Sequence, residues 1–83
     1  MAQGETLIEM ARRHVAEGEE MVAGQRRLLG RLRRDHHPTE LAEGLLAQFE
    51  QTLELQRADL SLVENELRQG LRHEDGSLIG PAP

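Results

Sequence analysis

The chain has 83 residues, with 15 acidic and 10 basic side chains for a formal charge of −5, and it contains no cysteine. A chain this short forms one domain at most, and with no disulfide and without the commonest zinc ligands its stability must come from close helix packing or self-association. The acidic balance opposes general polyanion binding, and a single aromatic residue, Phe49, gives no platform for stacking bases or sugars.

In chain order, residues 1–5 read as a short lead-in. Thr6 and Glu9 have capping-box spacing and Leu7 and Ile8 open an apolar pattern, which places the start of a first helix at Thr6. Ile8, Val15, Val22 and Leu29 then recur every seventh residue. Leu7, Met21 and Leu28 fill the adjacent row, and Ala11, Gly18, Gln25 and Leu32 form a third. Gly18 sits on the apolar stripe, either for close approach of another helix or as a tolerated defect. Gly24 and Gly30 lie off it and read as defects, each weakening the helix by roughly 1 kcal/mol relative to alanine.

The first helix is expected over 6–34 and the turn over 35–37, because Pro38 disfavours helical geometry at His37 and suits the first position of a new helix. Glu40 would then occupy the third position, where its charge favours the helix N-terminus. A second helix over 38–71 carries Leu46, Leu53, Leu60 and Leu67 at sevenfold spacing, with Ala42, Phe49, Gln56 and Val63 alongside. So short a turn forces the helices antiparallel. Pairing about it sets Leu32 near Ala42, Leu29 near Leu46, Val22 near Leu53, Gly18 near Gln56 and Ile8 near Leu67. The expected fold is all-α: two long antiparallel helices forming a coiled-coil hairpin. Beyond it, 72–83 contains Gly76, Gly80, Pro81 and Pro83, loses the helical period and reads as a flexible tail, with Leu78 and Ile79 as an alternative docking motif.

More apolar surface is present than one seam requires. Leu41, Leu55 and Leu62 fall about 90° to 150° from the leucine seam at 100° per residue, and Met10, Met21 and Leu28 broaden the first helix. Aligned leucines on an otherwise charged helix suggest a second interface, most simply two hairpins forming a homodimeric four-helix bundle.

Site chemistry is sparse. His36 and His37 are adjacent at the turn, where they read as solvated loop residues rather than metal ligands, and His14 lies too far along the first helix to join them within one chain. Gln25 and Gln56 fall within the seams, where polar residues commonly fix register. The Glu17, Glu19, Glu20 run and the Glu64, Glu66 pair read as solvated faces. No nucleophile triad, phosphate loop or dinucleotide fingerprint occurs, so neither catalysis nor a cofactor is expected. The densest polar feature is Arg26, Arg27, Arg31, Arg33 and Arg34 beside the turn. Cations there complement the helix macrodipole and suit Glu40 and Glu43 across the hairpin, and any remainder suits an acidic protein before nucleic acid.

His14 to Glu19, Gln25 to Leu32, Asp35 to His37 and Thr39 to Leu46 together resemble a recurrent type of short α-proteobacterial helical-hairpin protein without known activity. The resemblance implies a free-standing bacterial hairpin and carries over no site residues. No apolar stretch approaches the ~18 residues of a membrane span and no start resembles a signal peptide, so a cytoplasmic location is expected. The sequence therefore points to a non-enzymatic module that binds helices, either its own copy or a larger helical protein. A small regulatory nucleic-acid binder using the arginine cluster is the alternative.

Overall fold

The computed structural model describes residues 4–71, which form two helices, α1 (Leu7–Arg34) and α2 (Glu40–Arg68), packed against each other as a hairpin. The tail expected over 72–83 lies outside the described residues. At 1.5 Å per residue each helix is about 42 Å long.

Local chemistry fixes the helix ends. At the start of α1 the Thr6 hydroxyl accepts from the Glu9 N–H at 3.2 Å, and the Glu9 carboxylate accepts from the Thr6 N–H at 3.1 Å, so two orphan donors are satisfied reciprocally. The Thr6 hydroxyl and its backbone N–H hold the Glu9 carboxyl below the usual carboxylate range. Its share of the cap is therefore present above the unfolded-state carboxyl pKa and fades as pH falls through the folded-state value.

α1 ends in a Schellman turn. His36 N–H donates to the Arg33 carbonyl at 3.2 Å and His37 N–H to the Leu32 carbonyl at 2.9 Å, with His36 in the left-handed region at φ 58°. Glycine usually holds that position, because a Cβ there meets the following carbonyl. α2 ends the same way, with Gly70 at φ 73° and Leu71 N–H donating to the Glu66 carbonyl at 2.8 Å. This left-handed glycine stops α2 at Arg68, short of the Leu71 expected from the apolar pattern.

The start of α2 also differs from expectation. Pro38 does not take the first helical position. Thr39 is the N-cap and Glu40 the first residue, because the chain spends His37 and Pro38 reversing direction after the left-handed turn. Thr39 makes no side-chain bond to the helix backbone. Its hydroxyl instead donates to Glu43 Oε1 at 3.3 Å, the same oxygen that Arg33 reaches at 3.1 Å. Glu40 and Glu43 still place negative charge in the first turn, where the macrodipole favours it.

Between the helices lies a thin seam. Ala11, Gly18, Val22, Gln25 and Leu29 of α1 are buried against Ala42, Leu53 and Val63 of α2, and among the described residues no large side chain is fully buried. Gly18 belongs to the close approach. A Cβ there would overlap Gln56 Oε1 and stand 3.1 Å from Leu53 Cδ1, which places Gly18 opposite Gln56 as the pairing about the turn requires. The two seam glutamines differ. Gln25 donates to the Ala42 carbonyl at 3.0 Å, whereas Gln56 Oε1 is buried without a partner.

Replacing His36 by glycine should relieve the left-handed strain at the turn, less the extra unfolded-state entropy of glycine. We expect His36→Gly to raise stability by about 0.5–1 kcal/mol, read as a higher urea midpoint with unchanged slope. A lower midpoint would mean that the imidazole makes a stabilising contact outweighing its backbone strain.

Candidate interaction surface

The two flanks of the seam have opposite chemistry. On one, Arg26 pairs with Glu50 at 3.1 Å, Arg33 with Glu43 at 3.1 Å, and Arg57 with Glu19 at 3.9 Å. All six side chains are well exposed, and such pairs contribute little stability individually. Their use here is geometric: they mark which residues of α1 and α2 stand at the same level, and they close that flank with charge.

The opposite flank has no such cover. Met21 and Leu28 project from α1, about 80–90° from its seam, while Leu41 and Leu45 project on the same side of α2. Leu55 and Leu62 continue the α2 surface further round. Leu41 is 80 % exposed, Leu55 67 %, Leu62 54 % and Met21 51 %. Leu41, Gln48, Leu55 and Leu62 recur every seventh residue, so they form a second coiled-coil row broken only by Gln48. Leu41, Leu55, Leu62, Met21 and Leu28 are thus exposed while Met10 is half-buried, and the hairpin folds the five onto one side and its α2 shoulder. Leu45, at 36 % exposure, joins this face and was not foreseen. Its signal was the four-residue step from Leu41, hidden because Leu46 beside it so clearly belongs to the seam.

The arginine cluster divides. Arg26 and Arg33 are the two drawn into cross-hairpin pairs. Arg27, Arg31 and Arg34 point away from α2 and form no ion pair within the described residues. They border an open groove over Gly24 and Gly30, the two glycines against which no part of α2 packs. At the other end of α1 the charge is reversed. Arg13 bridges Glu5 at 2.9 Å and Glu17 at 2.7 Å, and its guanidinium holds the Glu5 carboxyl below the usual range.

His14 stays apart from the two turn histidines. His36 and His37 are exposed at the turn and His14 is half-buried on α1. Among the described residues no three His, Cys, Asp or Glu side chains converge on a point that would hold a metal ion, and no helix is long and apolar enough to cross a membrane. Glu17, Glu19 and Glu20 are exposed, and Glu64 and Glu66 half-exposed.

No family model, no curated protein and no solved structure matches the chain. The chemistry of this surface is therefore read from its residues alone: a long apolar strip on one flank of a hairpin, bordered along α1 by arginines near the turn and mainly by glutamates away from it.

Proposed function

We propose that this protein is a non-enzymatic, self-associating interaction module, in which two hairpins pack by their apolar flanks into a four-helix bundle. The observation that carries this reading is the strip of Met21, Leu28, Leu41, Leu45, Leu55 and Leu62 on the flank opposite the Arg26–Glu50, Arg33–Glu43 and Arg57–Glu19 pairs. Among the described residues no large side chain is fully buried, so the hairpin has little core of its own, and covering the exposed part of each leucine contributes a fraction of the roughly 1.5–3 kcal/mol for burying a whole side chain. A second copy supplies a matching apolar strip of the same length, and a larger helical protein presenting a leucine row would fit the same flank.

A second reading has one observation in its favour. Arg27, Arg31 and Arg34 form a stripe without ion pairs that would suit the phosphates of a nucleic acid. The flanking glutamates and the scarcity of aromatic residues, with Phe49 alone, favour the first reading. Phosphate-dominated binding weakens steeply with salt, so the expected result is no retardation of labelled DNA or RNA even at low ionic strength. Retardation that salt abolishes would favour the second reading.

Leu55→Glu together with Leu62→Glu should abolish self-association while the hairpin keeps its helical content, since neither leucine belongs to the seam. Light scattering and circular dichroism at matched concentration read the two effects separately. A fully folded dimer of the double variant would shift the interface to the Met21 and Leu28 shoulder. A wild type that stays monomeric at high concentration would leave the strip to another protein.

A further inference from the structure

Resting on the self-association reading, we infer that the two copies assemble with their turns at opposite ends, α1 running antiparallel to α1 and α2 to α2, about a two-fold axis level with Gly24. Three features bear on this: the charge of α1 sets the direction, and the residue orders of α1 and α2 place the axis.

The first is the charge of α1. From Leu7 to Met21 it carries four glutamates against two arginines, and from Val22 to Arg34 five arginines and no acidic residue. α2 neutralises only Arg26 and Arg33 of the five. Glu17 and Glu19 are themselves engaged by Arg13 and Arg57, yet this half of α1 keeps more acidic than basic residues, and a second α1 laid antiparallel brings it against Arg27, Arg31 and Arg34. With both turns at the same end, the two arginine clusters would instead gather together, an arrangement that like-charge repulsion opposes.

The second is the order of residues along the outward edge of α1. Glu17, Met21, Gly24, Leu28 and Arg31 follow four- and three-residue steps and so share one face. Read in reverse, this row matches itself with the charges exchanged. Glu17 and Arg31 each lie seven residues from Gly24, so antiparallel pairing about Gly24 sets Arg31 of each copy against Glu17 of the other. Met21 and Leu28 pack crosswise inside those charges. Gly24, which costs helix stability and which no part of α2 approaches, stands where the two backbones cross.

The third comes from α2. Arg26 is level with Glu50, so Gly24 is level with Thr52. The row Leu41, Gln48, Leu55, Leu62 has its own midpoint between Gln51 and Thr52. An antiparallel copy therefore sets Leu41 against Leu62 and Gln48 against Leu55. The two helices place their self-complementary centres at one height, which a single two-fold axis requires of an isologous interface.

Distance measurement tests the arrangement directly, since the chain has no cysteine and a single one introduced at the turn takes a spin label cleanly. Labelled Asp35→Cys should give an intermolecular distance of about 33 Å or more, because Asp35 lies eleven residues beyond Gly24 in each copy. Turns at the same end would bring the labels within about 20 Å, given interaxial spacings of 8–10 Å. A short distance in a dimer would overturn the arrangement and leave the self-association reading standing. A monomeric mass with no intermolecular distance would overturn both. Charge exchange gives the second readout. Arg31→Glu should weaken association about tenfold, and adding Glu17→Arg to it should restore affinity. Glu17→Arg alone measures the loss of the Arg13–Glu17 bridge; if the double variant loses as much as the two single variants together, the two residues do not face each other and the axis is elsewhere.

Discussion

The width of the seam governs the rest of this molecule. Two helices in contact share only one strip of side chains, and here the strip is made of small and medium residues: Ala11, Gly18, Val22 and Leu29 against Ala42, Leu53 and Val63. The narrow contact lets the backbones approach at Gly18, but it leaves most leucines partly in water. A second layer of structure would normally cover them, because domains are stable as packed layers around a core, and one hairpin supplies only half of such a layer pair.

Charge decides which side of the hairpin remains open. The pairs Arg26–Glu50, Arg33–Glu43 and Arg57–Glu19 occupy one flank, where they set the register and make a solvated edge. The other flank is left apolar. An exposed pair contributes little to folding, so the ion pairs matter less for stability than for keeping that flank charged and solvated. The same division explains why the arginine cluster is not a single feature. Two of its members are consumed in holding the register, and Arg27, Arg31 and Arg34 remain for whatever approaches the outer edge of α1.

Much of this was legible in the sequence because the determining interactions are local or periodic. The capping box needs only Thr6 and Glu9 three residues apart, and sevenfold leucine spacing yields two long helices and their antiparallel pairing. The turn was less legible. Pro38 alone suits a first helical position, but the left-handed His36 and the capping Thr39 consume the residues around it, and propensity does not rank such competing signals. The fate of each arginine was hidden as well, because it depends on the rotational phase of α1 against α2. Gly24 reads as a defect within its own helix, and nothing in α2 packs against it; only the proposed antiparallel pairing would give it a role.

The account stands or falls on whether the hairpin is stable alone. Thermal unfolding followed by circular dichroism, over a hundredfold or greater range of protein concentration, is the most direct measurement, because the midpoint of a folded assembly depends on concentration and that of a monomer does not. The account predicts a midpoint that rises steadily with concentration. A single, concentration-independent midpoint, with the 9.3 kDa mass of one chain throughout, would contradict it.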